Sequence, residues 1–177
     1  MTQLNSKFDV VSRDPHPNAR AGLMVILDVD GALGPYAPGG PGSGTPIPGN
    51  IQAGSIVVMK TNGKAILADN VDALTSAPQM FYVTVDGDRD FDGAFVHSLT
   101  CIQGGMEIVT DLFEPGLGYL PGVMLTCGDS AGLVNYSGYF RPALVTEQIY
   151  GMVGSMGYDS IENTLHVIIP QGISPAA

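Results

Sequence analysis

From residue 51 onward, the apolar positions of this chain fall into short runs closed by Gly, Asn or Asp: "SIVVM", "KAIL", "MFYVTV", "AFVHSLTCI", "MEIVT", "VMLTC", "GLVNY", "IYGMVGSM" and "TLHVII". Runs of this length, rich in β-branched and aromatic residues and bounded by turn formers, predict strands. Few stretches hold an apolar period of 3.6 over ten residues, so helices are at most short, with one expected near Asp111 to Glu114. Upstream, "LMVILDV" (23 to 29) predicts a further strand. It is followed by "GALGPYAPGGPGSGTPIPG" (31 to 49), where seven Gly and five Pro in nineteen positions preclude regular structure. The expected fold is all-β, with long irregular connections.

The strand pattern repeats. "AGSIVVMKTNGKAIL" (53 to 67) parallels "PGVMLTCGDSAGLV" (121 to 134), each reading as a hairpin led by a small residue and Gly. "QMFYVTVDGDRDFDGAFVHSLTCIQG" (79 to 104) parallels "QIYGMVGSMGYDSIENTLHVIIPQG" (148 to 172), with Gln79 answering Gln148, Phe81 answering Tyr150 and His97 answering His166, at offsets of 68 or 69 residues. The expected organisation is therefore an extended N-terminal arm with its Gly/Pro-rich segment (1 to 50) and a β domain (51 to 177) of two similar halves, about 51 to 110 and 111 to 177.

One turn in this pattern raises a question of chemistry. Asp88, Asp90 and Asp92 followed by Gly93 match the opening of a calcium loop, in which alternate carboxylates clasp a hard cation. The twelfth position is Leu99 rather than a bidentate glutamate, and the second copy makes the same turn without the carboxylate series. The stretch reads as a solvated hairpin tip, with a calcium site as the weaker alternative.

Composition narrows the function. A chain of 177 residues suits one domain with a real core. With 17 acidic against 7 basic residues the formal charge is −10, which repels phosphate backbones and argues against nucleic acid. The N-terminus lacks the apolar core of a secretory signal and no run reaches the ~20 apolar residues of a membrane helix, so the expectation is a soluble, non-exported product without a membrane partner. Cys101 and Cys127 are too few for a disulfide framework and read as reduced, packed thiols. Residues 1 to 22 carry Lys7, Arg13 and Arg20 against Asp9 and Asp14 with little apolar surface, which reads as an arm.

Candidate chemistry is thin. His16, His97 and His166 lack metal-ligand spacing. Ser130 in "CGDSAG" sits in a turn and not on a strand-to-helix elbow. Cys101 lies within an apolar strand with no adjacent basic group to lower its pKa. No enzyme and no cofactor is expected. Tyr119, Tyr136, Tyr139 and Phe140, with Arg141 as their one basic neighbour, suit a packed interface or a saccharide platform better than a strand of RNA.

The order "AGSIVVM...GKAIL", then "PGVMLTC...AGLV", then "IYGMVGSMG...NTLHVIIPQG", over about residues 51 to 172, resembles the capsid decoration or cement proteins of tailed bacteriophages. In that family a Gly-led hairpin, a "G-V" strand and a final "T..V.I" strand compose a small β-barrel or β-tulip. This chain departs from the pattern in its long Gly/Pro segment and in "AGS" where Gly-Asp is common. The resemblance implies a non-enzymatic virion protein, made in the host cytoplasm, that binds the outer surface of an icosahedral capsid, bridges major capsid subunits, and does so as a homotrimer. In that role the arm clasps a neighbour, with Lys7, Arg13, Arg20 and Tyr36 as the expected contacts. Another virion β protein of the tail or fibre base is the alternative, and a carbohydrate-binding module ranks third.

Overall fold

The computed structural model describes residues 51–59, 63–69, 81–86, 98–128 and 136–170, together with the backbone of residues 8–13 and 23–28. Among these, every regular element is a strand: β1 (Phe8–Arg13), β2 (Leu23–Asp28), β3 (Ile56–Met59), β4 (Ala65–Leu67), β5 (Phe81–Thr84), β6 (Ser98–Gln103), β7 (Met106–Thr110), β8 (Met124–Cys127), β9 (Phe140–Pro142), β10 (Gly151–Asp159) and β11 (Thr164–Ile169). They form two antiparallel sheets, β2-β6-β5-β3-β4 and β1-β7-β11-β10-β8-β9. Among the described residues neither sheet closes on itself, so two open sheets stand where a barrel was expected.

The sheets share one core. Ile56, Val58, Phe81, Val83 and Ile102 of the first meet Ile108, Leu125, Phe140, Val153, Leu165, Val167 and Ile169 of the second, all buried. Alternation explains the arrangement: along β11, Leu165, Val167 and Ile169 are buried while His166 and Ile168 are only partly covered, the signature of a strand with one face on the core. The first sheet differs, because Val57, Tyr82, Leu99 and Cys101 on its other face are buried as well.

The two sheets also share one strand order. In chain order, β2 to β6 and β7 to β11 each place their first strand beside their fifth, then the fourth, second and third. Ile56 opposite Val83 is answered by Met124 opposite Met152, as the 68 and 69-residue offsets in the sequence anticipate. Val83 opposite Ile102 is answered by Met152 opposite Ile168, and there the offset drops to 66. The aspartate-rich connection of the first hairpin holds three more residues than its counterpart, so Thr100, not His97, occupies the place corresponding to His166. The halves divide at Gly104 and Gly105, whose consecutive φ values of 68° and 72° turn the chain from one sheet into the other, rather than at residue 110.

Other expectations shift. The segment read as an extended arm contributes β1, paired with β7, and β2, paired along its length with β6, so these strands belong to the chain's own sheets. No helix forms at Asp111 to Glu114: Phe113 bridges Phe140 in parallel, and Pro115 with Gly116 directly after leaves too few residues to nucleate a turn. In the second hairpin, β8 pairs with β9 on one edge and β10 on the other, so its partner is residues 140 to 142. The partner expected at 132 to 134 lies outside the described residues.

A loop from the second half locks onto the first. Gly138 N donates to Ala68 O at 2.7 Å, and Gly138 O accepts from Ile56 N at 2.8 Å. Gly138 has φ +78°, and a Cβ there would lie 2.5 Å from Leu67 Cδ2 and 3.2 Å from Ile56 O. Gly138→Ala is therefore expected to cost about 1–3 kcal/mol of stability through strain and overpacking, read as a lower urea midpoint at unchanged slope.

Candidate interaction surface

Among the described residues, the exposed large apolar side chains are Leu117, Leu120, Met124, Leu144, Val145, Met156, Tyr158 and Ile161, all in the second half. Two turns bring several of them together at one end of its sheet. Leu120-Pro121-Gly122-Val123 is a type II turn: Val123 N donates to Leu120 O at 3.1 Å, and Gly122 supplies the positive φ of 86° at the third position. It is held to β10 by Gly122 N donating to Val153 O at 2.9 Å. The loop before it is pinned by Tyr119, whose hydroxyl reaches Glu114 O at 2.6 Å and Phe140 O at 3.2 Å and whose ring meets Phe113 edge-on at 5.3 Å.

The second turn, Leu144 to Glu147, follows β9. Glu147 N donates to Leu144 O at 3.2 Å, and Thr146 takes a φ of 93° at the third position. That conformation suits glycine and strains a β-branched residue. What holds it is Glu147, 2% exposed, which accepts from Leu144 N at 2.7 Å and forms a two-pronged ion pair with Arg141, one prong being Arg141 Nη1 to Oε2 at 3.0 Å. Burial pulls the Arg141 pKa down, but the hydrogen bond and charge of Glu147 more than offset it, and the net shift is upward. The fold thus keeps a strained turn and a nearly dry ion pair to hold Leu144 and Val145 out in water, 67% and 86% exposed. Ala143 N donates to Met124 O at 2.8 Å, so the antiparallel register of β8 and β9 carries Leu144 and Val145 alongside the 120–123 turn.

Lys7, Arg20, Tyr36, Asp88, Asp90, Asp92, His16, His97 and Ser130 lie outside the described residues, and Arg13 ends β1 opposite Met106. Asp86, at the start of the aspartate series, accepts from Thr100 N at 2.9 Å, which is structural work at the hairpin's base. Tyr119 and Phe140 are buried at 7% and 0% exposure and serve the core, while Tyr136 and Tyr139, edge to face at 5.7 Å, are only partly buried. Among the described residues, no group of three or more His, Cys, Asp or Glu is placed to hold a metal ion.

Neither Cys101 nor Cys127 forms a disulfide, and both are buried. Burial, with the charge of Asp86 adding to it, pushes the Cys101 thiol up to about 12. Burial likewise raises Tyr82, Tyr119 and Tyr139. A group whose folded pKa is raised contributes stability below its unfolded pKa and loses it as pH climbs toward the folded value. The urea midpoint is expected to fall from about pH 9 upward, the ordinary range of Cys and then Tyr, and both thiols to resist a thiol reagent at pH 8 until the chain unfolds. A thiol that titrates rapidly in the native protein would contradict this.

One contact escaped the sequence reading. On the outer face of the second sheet, His166 Nδ1 lies 3.6 Å from Glu107 Oε1, too far for a hydrogen bond, and has no hydrogen-bond partner. Gly154 makes room, since a Cβ there would sit 2.8 Å from Glu107 Oε1. Alternation along β7 and β11 puts both residues on the outer face, but their adjacency follows from register, which only the pairing of Ile168 with Glu107 establishes.

No protein-family model matches the chain, and no curated protein and no solved structure matches it. The resemblance to capsid decoration proteins is therefore carried by the sequence pattern alone, while the described residues form two open antiparallel sheets without a helix.

Proposed function

We propose that the protein is a non-enzymatic structural component that adheres to the outer surface of an icosahedral phage capsid and bridges its major capsid subunits. The observation that supports the reading is that, among the described residues, the exposed large apolar side chains fall between 117 and 161, with Leu120, Leu144 and Val145 on turns held by buried partners, in a chain of charge −10. Rigid apolar projections bind with little ordering cost, and the acidic balance suits an outer face better than a DNA-lined interior. β1 and β2 pair inside the chain's own sheets, and the attachment proposed uses the folded surface of the second half.

The test is co-sedimentation of the purified protein with purified capsids that lack it, from the virus encoding it. Saturable binding in a fixed ratio to the major capsid protein, together with a higher temperature of shell rupture, is expected. Absence of binding on those shells would remove the reading.

A further inference from the structure

We propose that His166 and Glu107, on the outer face of the second sheet, together bind a divalent first-row transition-metal ion of the zinc type. His166 sits opposite Val109 and Glu107 opposite Ile168, so the two are diagonal neighbours across β11 and β7, within reach of long side chains. His166 Nδ1 lies 3.6 Å from Glu107 Oε1 and is buried with no hydrogen-bond partner. A buried polar atom in that condition calls for a water or an ion. The separation favours an ion. A charged pair that closes on itself comes to hydrogen-bond length, as Arg141 Nη1 does with Glu147 Oε2 at 3.0 Å. Two donors on one zinc, each about 2.0–2.2 Å from it, stand about 3.4 Å apart at the tetrahedral angle, and the 3.6 Å found here opens that angle only to about 120°. An imidazole nitrogen beside a carboxylate oxygen suits zinc, nickel or copper and not the oxygen-seeking calcium and magnesium.

The neighbouring strand is shaped around the pair. The register of β10 on β11 jumps from Val153–Val167 to Tyr158–Leu165, so residues 154–157 stand opposite His166 alone. Bulges of this kind re-aim side chains and gather beside functional sites. The bulge opens with Gly154, where a Cβ would lie 2.8 Å from Glu107 Oε1 and 3.5 Å from His166 Cβ, so a side chain there would crowd the carboxylate off its place beside the imidazole. The side chains of His166 and Glu107 are 16% and 24% exposed, covered enough to be held in position and open enough for an ion to arrive from solvent. A chain of charge −10 concentrates cations at its surface. With two protein donors, the other coordination positions go to water or to an external donor, which makes this an exchangeable surface ion rather than a closed structural one. Held between β7 and β11, the ion ties the two strands together beside the bulge. This inference does not depend on what shell, if any, the protein binds.

The experiment is calorimetric titration of zinc chloride into the metal-stripped full chain near neutral pH, for the parent, His166→Gln, Glu107→Gln and, as controls for the remaining histidines and the aspartate series, His97→Gln and Asp90→Asn. The parent is expected to take up zinc saturably. His166→Gln and Glu107→Gln should each weaken that uptake at least about 10-fold, the lower bound for disturbing even an outer-shell partner of a metal, while the two controls leave it unchanged. Because an ion that binds the folded chain stabilises it, added zinc should raise the urea midpoint of the parent and of both controls, and not that of His166→Gln or Glu107→Gln. Far-UV circular dichroism without zinc checks that every variant is folded, which the partial exposure of both side chains favours. A parent that takes up no zinc, or an uptake that either His166→Gln or Glu107→Gln retains, overturns the proposal and leaves the pair a plain cross-strand contact.

Discussion

Glu147→Ala is expected to lower the unfolding free energy by about 3–5 kcal/mol, the usual cost of stripping one partner from a buried ion pair. The side chains of Arg141 and Glu147 are 11% and 3% exposed, so the guanidinium left behind is held from water without its counter-charge. Leu144 N loses its acceptor at the same time, and the turn that keeps Thr146 at a φ of 93° loses what opposes its strain. Replacing both partners, as in Arg141→Met with Glu147→Leu, removes the charge and its desolvation together and should recover much of the loss. Glu147→Gln, which keeps an acceptor for Leu144 N but not the charge, should fall between. Urea unfolding of the four proteins measures the series. A Glu147→Ala loss under about 1 kcal/mol would place the pair with solvated surface ion pairs and remove the claim that it holds the turn.

That turn also shows where sequence reading stops. Strands such as β7, β10 and β11 are visible as apolar runs because one face meets the core, and the pairing of β3 with β4 follows from a short Gly-containing connection. The shared strand order was legible as a repeat because β3, β5 and their counterparts keep nearly one offset. It misled at His97 because the loop before β6 carries three extra residues, and a hairpin's register answers to its loop rather than to the residues flanking it. β9 was missed as the partner of β8 since "FRP" is three residues with a proline, too short to read as a strand, and is fixed by non-local contacts to Leu112 and Cys127. The roles of β1 and β2 were missed for the same reason: that β1 joins β7 and β2 joins β6 is a non-local pairing written neither in the polar composition around β1 nor in the apolar run of β2. Leu144 and Val145 resemble any apolar pair in the sequence. Only the Arg141–Glu147 contact, six positions apart and set by a turn, reveals that they are held outward.

The apolar surface and the core are built on the same strand. Phe140 is fully buried. Its carbonyl accepts from Glu114 N at 2.9 Å and from the Tyr119 hydroxyl at 3.2 Å, and its amide donates to Leu112 O at 2.9 Å. These backbone bonds survive truncation of the side chain, so Phe140→Ala isolates the ring. The ring lies over Gly151, where a Cβ would come within 3.4 Å of Phe140 Cε1 and 2.7 Å of Val167 Cγ1. That near approach marks a closely filled layer between β9, β10 and β11, without slack to collapse into the space. Phe140→Ala is therefore expected to cost about 3–5 kcal/mol, and Phe140→Leu, which refills most of the volume, under about 1.5 kcal/mol. For a chain of this size each kcal/mol lowers the thermal midpoint by roughly 2–4 °C, so the two variants separate clearly in a calorimetric scan. If the Phe140→Ala loss is under about 1 kcal/mol, the two sheets do not close on this ring, because a ring in a filled layer leaves a cavity that costs more than that.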